Sequence, residues 1–372
     1  MKVGTTAERT TAEVMQNLVG LLLAESPNLA VLQNEQTWRA IKQHAARHGV
    51  AALVAYAARS SVSEAERSWC DRVLVESWAR HERMLWHLEF VLGVLTRERI
   101  PAISLKGPLL AERYYAPAFL RRPSGDLDVA VAASDIDRAC KALVANGYRQ
   151  DVSTSDALQR SHHVTLSHAG RPWVELHFRL SHATSGIPVE QFFERTVPRC
   201  LPGGLEARVL GAADQLLHLA LHLAHSRFGP LFYLYEVRRA YRAESAAVRT
   251  EALKLAIDSH FCGALRMIDL AFRVRLGEPF LSSAPEVPAT WLGWRMDERL
   301  FRDFERCSSP GRAMTVANRV WGRWLDLQLT DRPSDAIRLA TLFARTARAD
   351  LVDKKAWRQA RKRRVVPVGQ PL

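Results

Sequence analysis

The sequence predicts an α+β protein in which a small mixed sheet is embedded between N- and C-terminal helical regions. Three observations predict it. The first hundred residues repeat apolar positions at helical spacing with few breakers. From Ile100 to Leu210, short apolar or alternating runs are set off by Gly and Pro and read as strands. From Ala212 onward the pattern is again almost wholly helical. The regions divide as 1–99 helical, 100–211 sheet-bearing core, 212–352 helical and 353–372 a basic tail.

In order along the chain, 10–24 reads as an amphipathic helix with Thr11 as a candidate N-cap. A second helix covers 38–58, with Trp38, Ile41, Ala45, Val50, Leu53 and Val54 on one stripe, and a third covers 63–97. Residues 101–105 form a short apolar strand that ends at Lys106-Gly107. Pro108 suits the first position of a helix that continues to Tyr115. After a loop carrying Arg121 and Arg122 comes a strand over 126–131. Ser134 is the candidate N-cap of a helix to Asn146, with Gly147 where a terminating glycine belongs. Strands at 163–167 and 173–180, joined by His168-Ala-Gly-Arg-Pro, read as a hairpin, and 207–210 is the last strand. Helices follow at 212–226, 230–244, 248–274, 296–306, 314–328 and 334–350, with Pro-rich breaks at 279–290 and 331–333.

The composition bounds function only coarsely. At 372 residues there is ample chain for a large core, and 48% hydrophobic with 24% charged residues is ordinary for a globular protein. The net charge of +13 favours a polyanionic partner such as a nucleotide or nucleic acid. Part of that surplus is local, in Lys354, Lys355, Arg358, Arg361, Lys362, Arg363 and Arg364, a run that reads as a solvated tail. Cys70, Cys140, Cys200, Cys262 and Cys307 make no paired spacing, which fits a reducing compartment. With no signal-peptide pattern, and an apolar run at 18–24 far too short to span a bilayer, a soluble cytoplasmic protein is expected.

The chemistry concentrates between Ser104 and Val131. Asp126 and Asp128 alternate with Leu127 and Val129, so on a strand both carboxylates project from one face. Such a pair repels itself unless a cation sits between, and a divalent metal is the simplest such cation. The plainer alternative is a strand that opens after the turn-prone Ser-Gly-Asp. A third carboxylate, Glu175, shares a strand face with Trp173 and His177, opposite Val174, Leu176 and Phe178. If this strand lies beside that of Asp126, Glu175 can bind a metal and help deprotonate an acceptor hydroxyl; otherwise it pairs with Arg171 or Arg179. Lys106 and Gly107, at a strand-to-helix junction, suit a phosphate, as do Arg121 and especially Arg122. His218 and His222 share a helix face at i, i+4, as structural histidines, polar cleft residues or, with no third ligand evident, zinc ligands, and His162, His163 and His177 are candidate substrate or supporting groups. Trp291, Trp294, Trp321 and Trp324 have the spacing of helix packing rather than base stacking. No G-x-S-x-G, Walker or Rossmann pattern is present.

The order LKG, YYAPAFLRRPSGDLDVAV, NGY and VELHF resembles the uncharacterised bacterial nucleotidyltransferase family of the polymerase-β-like superfamily. The likeness is strong over 100–180 and looser on both sides. It implies a small mixed sheet with flanking helices and Mg²⁺ (or Mn²⁺) held by Asp126, Asp128 and Glu175. It also implies transfer of a nucleoside monophosphate from an NTP, with ATP the first expectation. Two features depart from the wider superfamily: in place of a serine after Gly107 stands Pro108, with no backbone donor for phosphate, and the gap from Gly107 to Asp126 is longer than usual. The grip on the triphosphate therefore differs from the commoner pattern.

The expected function is transfer to an acceptor hydroxyl on a small molecule, sugar, peptide or protein, with release of pyrophosphate. Lys106 and Arg122 would contact the phosphates, and His177 and His222 the substrate or its surroundings. The rival expectations are a non-catalytic nucleotide-binding regulator or antitoxin-like protein, and a basic nucleic-acid-binding protein. On sequence alone, Asp128→Asn is expected to abolish transfer while leaving the fold intact.

Overall fold

The computed structural model describes residues 6–23, 28–122, 124–150, 152–180, 187–226 and 228–280, with 331, 334, 337, 340 and 341 beyond them. The chain opens with helices α1 (Thr6–Leu23), α2 (Glu35–Arg47), α3 (Ala51–Ala58) and α4 (Glu64–Arg97). Asn34 and Ser63 cap α2 and α4 by accepting from Thr37 N–H and Glu66 N–H. The single helix expected over 38–58 is two. Gly49 takes φ 71°, and a Cβ there would meet Arg122 Cδ at 2.6 Å. The left-handed conformation favours glycine at that corner, and any side chain there would also have to displace the arginine stem lying over it.

Strand β1 (Ala102–Ser104) leads through Lys106-Gly107 into α5 (Pro108–Tyr114), with the proline at the helix start. Strand β2 (Asp126–Val131) is followed by a 3₁₀ turn at Ala133–Asp135 and then α6 (Ile136–Ala145). Ser134 thus lies inside that turn rather than capping a helix, whereas Gly147 does adopt the left-handed conformation, φ 91°. Strand β3 (Arg149–Gln150), α7 (Thr154–Arg160), β4 (His163–Ser167), β5 (Trp173–His177), β6 (Val197–Cys200) and β7 (Glu206–Val209) complete the sheet region. The sequence reading missed β3, α7 and β6. The first is only two residues long, and the last is an edge strand that carries Pro198.

The seven strands lie in the order β3-β4-β5-β2-β1-β7-β6. At the centre β2 runs antiparallel to β1 and parallel to β5, while β4 and β5 form the expected hairpin. One face of the central strands carries Leu127, Val129, Val131, Val174 and Leu176. These pack with Leu88, Val91 and Leu95 of α4 and Ile136, Ala139 and Leu143 of α6 in one buried cluster. This burial fixes the pairing, because a one-residue slip would send the intervening carboxylates into that core.

Four helices follow: α8 (Ala212–His225), α9 (Leu231–Ala243), α10 (Ala246–Asp258) and α11 (Cys262–Leu276). The expected single helix over 248–274 is divided between α10 and α11. His260 is left-handed at φ 62°, Phe261 is buried, and the Asp331 carboxylate accepts from Cys262 N–H and Gly263 N–H at the start of α11. With no Gly or Pro at the break, nothing local announces it. A second, larger cluster joins residues of α1–α3, β1 and α8–α11. Among the described residues no helix is long and apolar enough to cross a membrane. The helices expected at 296–306 and 314–328, most of 334–350, the four tryptophans, Cys307 and the basic tail lie outside the described residues.

Candidate active site

The parallel pairing of β2 with β5 sets Asp126 opposite Trp173, Asp128 opposite Glu175 and Ala130 opposite His177. Alternation puts these residues on the sheet face away from the α4–α6 core. Asp128 and Glu175 are therefore adjacent by backbone register, not by side-chain chance. Strand β1 adds the next member. Leu105 N–H donates to the Asp128 carbonyl at 3.0 Å, and this brings Lys106 Nζ to 2.9 Å from Asp128 Oδ1. His177 Nε2 reaches the same oxygen at 3.1 Å and lies 3.5 Å from Glu175 Oε2. Asp126 accepts a short hydrogen bond from the Ser124 hydroxyl.

These contacts set unequal electrostatics on three similar carboxylates. Burial by itself would raise Asp128, but the Lys106 ammonium and His177 hold it well below the usual carboxylate range. Burial similarly opposes charge on Lys106 and His177, and both are nonetheless raised: Lys106 by Asp128, His177 by hydrogen bonds to Asp128 and Glu175. Glu175 is lowered because its contacts with His177 and His163 outweigh its burial. Asp126 alone is raised, by burial and then by repulsion from Asp128, only partly offset by Ser124. Among the described residues it forms no ion pair with a cation, and Lys106 lowers it only weakly.

Helix α8 stands over this face. Gln215 Nε2 donates to the Leu105 carbonyl at 3.2 Å, which ties the helix to the strand that carries Lys106. Burial, followed by the positive charge of Lys106, holds His218 at about 3 and His222 well below the ordinary imidazole range. Both present neutral rings to the site, and His222 also packs edge-on against Tyr233, 4.9 Å between centroids.

Of the residues singled out by sequence, the structure brings Lys106, Asp126, Asp128, Glu175 and His177 together, with His222 nearby. Gly107, at φ 81°, caps α5. Arg121 is placed elsewhere: it is buried and paired with Glu236 of α9 at 2.5 Å and 3.3 Å. Arg122 is exposed, its stem over Gly49 and its guanidinium 5.8 Å from the Phe232 ring centre. The alternative pairing of Glu175 with Arg171 is not adopted, since that guanidinium stacks on Phe90 at 3.7 Å. Sequence reading missed Ser124 and Gln215. Neither carries a motif, and each is defined only by what the fold brings to it.

A family model described as an uncharacterised nucleotidyltransferase matches residues 34–273, from the N-cap of α2 into α11. The chain belongs to this nucleotidyltransferase family. No curated protein matches it. As a nucleotidyltransferase it takes an NTP. Asp128, Glu175 and His177 each offer an atom within 4.8 Å of the others, a spacing a metal ion can bridge. The donor set fits a hard divalent cation, which takes one or two carboxylates together with substrate phosphates. Both cationic contacts to Asp128 fall on Oδ1, and Asp126 is short of positive charge.

Proposed function

We propose that this nucleotidyltransferase moves a nucleoside monophosphate, from ATP in the first instance, to an acceptor hydroxyl on a small molecule, sugar, peptide or protein in the cytoplasm. Asp126, Asp128 and Glu175 would hold Mg²⁺ (or Mn²⁺). The single observation that supports this most is the in-register neighbour pair Asp128–Glu175, with Asp126 on the same face and Lys106 at 2.9 Å. When bound, the ion supplies charge neutralisation for the triphosphate and the leaving pyrophosphate.

The protein's own groups do the rest. Lys106 is held with its charge beside Asp128 and meets a phosphate as a point charge. His177, locked by two carboxylates, keeps Asp128 and Glu175 oriented. Glu175 accepts the proton of the attacking hydroxyl, whose oxygen bonds to the α-phosphorus as the bond to the pyrophosphate oxygen breaks. Arg122, exposed on the loop before β2, contacts the outer phosphates, and the neutral rings of His218 and His222 line the acceptor side without competing for phosphate. Catalysis then comes mainly from positioning and preorganised charge.

The test is incubation of the full-length protein with Mg²⁺ and ATP labelled at the α-phosphate, with and without cell extract. Label in an acceptor, matched by pyrophosphate and lost in Asp126→Asn, is the expected result. Absence of both products with every common ribonucleoside triphosphate would overturn the proposal in favour of a non-catalytic nucleotide-binding protein.

A further inference from the structure

Beside the carboxylates lies a second group of ligating atoms, two of which, on His162 and His163, have no part in the proposed transfer. His163 of β4 is the direct cross-strand partner of His177 of β5, so the antiparallel register brings the two rings to 5.1 Å between centroids. His162, the residue before, is fixed through its carbonyl, which accepts from Phe178 N–H and Arg179 N–H. Its ring stands 4.4 Å from that of His163 and 5.3 Å from that of His177. One nitrogen from each of the three lies within 4.8 Å of the others.

We infer that His162, His163 and His177 form a second metal site, which takes a borderline divalent cation such as Zn²⁺ and is distinct from the carboxylate site. Imidazole nitrogen is the donor preferred by such ions, whereas Mg²⁺ prefers oxygen. For one pair of rings the spacing already fits. His163 Nδ1 and His162 Nε2 are 3.2 Å apart. Two nitrogens on one tetrahedral zinc, each bonded at about 2.05 Å, stand about 3.3 Å from one another. The carboxylates of Asp128 and Glu175 already hold one ring nitrogen of His177, Nε2. The other, Nδ1, is buried with no hydrogen-bond partner among the described residues. A carboxylate on one ring nitrogen that orients the other toward a metal is the usual arrangement of a ligating histidine. Three protein nitrogens leave one tetrahedral position for water. His177 links the two sites, so a cation here would pin the ring that holds Asp128.

The probe is Co²⁺, a coloured stand-in for Zn²⁺, added to the metal-stripped full-length protein in excess Mg²⁺. The expected result is one Co²⁺ per chain with the intense visible bands of a low-coordinate nitrogen site, not displaced by Mg²⁺. His162→Gln and His163→Gln, each checked for an unchanged circular dichroism melt, should weaken it about tenfold or more, and Asp126→Asn should not. Absence of those bands in the unmodified protein would overturn the inference without recourse to any variant. Binding that Asp126→Asn abolishes and His162→Gln leaves untouched would overturn it as well, by putting the cation on the carboxylates. Metal content and transfer activity are separate readouts, so this site and the proposed reaction can fail independently.

Discussion

Replacing Asp126 and Asp128 one at a time by Asn makes the same chemical change on one strand face, yet the structure requires opposite effects on stability. Asp128 is 4% exposed and carries both Lys106 and His177 on one oxygen. Neutralising it leaves a buried ammonium without its partner, a change that costs about 3–5 kcal/mol. Asn retains one carbonyl acceptor for Lys106 or His177, so the lower figure applies, about 3 kcal/mol. At about 2–4 °C per kcal/mol, the melting temperature should fall by roughly 6–12 °C. Asp126 is only partly buried, and it is raised by burial and then by the charge of Asp128, with Ser124 and Lys106 offsetting this only in part. Asp126→Asn removes that repulsion and keeps an acceptor for Ser124, so its melting temperature should equal or exceed that of the unmodified protein. Differential scanning calorimetry near neutral pH in chelator measures both, with Mg²⁺-dependent pyrophosphate release run in parallel and expected to collapse in each. Equal destabilisation by the two changes would refute this charge accounting. The expectation that Asp128→Asn spares the fold is thereby revised, and Asp126→Asn becomes the cleaner test of metal binding.

The raised pKa of His177 gives a pH dependence of definite sign. The folded protein holds that proton more tightly than the unfolded chain, so the added stability is complete below about 6.5. It is lost as pH rises through the raised folded value. The unfolding midpoint should therefore drift down from pH 6 to 9, and His177→Gln should flatten that drift; parallel profiles for the two proteins would contradict the assignment. The Arg121–Glu236 pair, 6% and 2% exposed, is another buried charge couple that can be broken from one side. Glu236→Gln should lose about 3–5 kcal/mol in urea unfolding. A loss under about 1 kcal/mol, the range of an exposed pair, would count against it.

The sequence by itself determined what repeats locally. Strand β2 is read over the residues it occupies because Asp126, Leu127, Asp128 and Val129 alternate, and α4 because an apolar stripe runs unbroken from its Ser63 cap. The same alternation in WVELH put Glu175 and His177 on one face before any partner was known. The tertiary structure alone decided what those faces meet. Lys106 lies on Asp128 because β1 pairs with β2, and Glu175 stands beside Asp128 because β5 pairs with the other edge of β2. Arg121, next to Arg122 in a loop, finds a partner 115 residues away in α9. His260 interrupts a helix with no local breaker, whereas the break at Gly49 is a local one, a left-handed glycine just past the C-cap of α2. Local periodicity records which side of an element avoids water. It carries no record of which distant element will cover that side, because pairing is chosen by the burial and charge balance of the whole fold. The carboxylates of the site were legible for the first reason, and the cations and histidines that gather on them waited on the second.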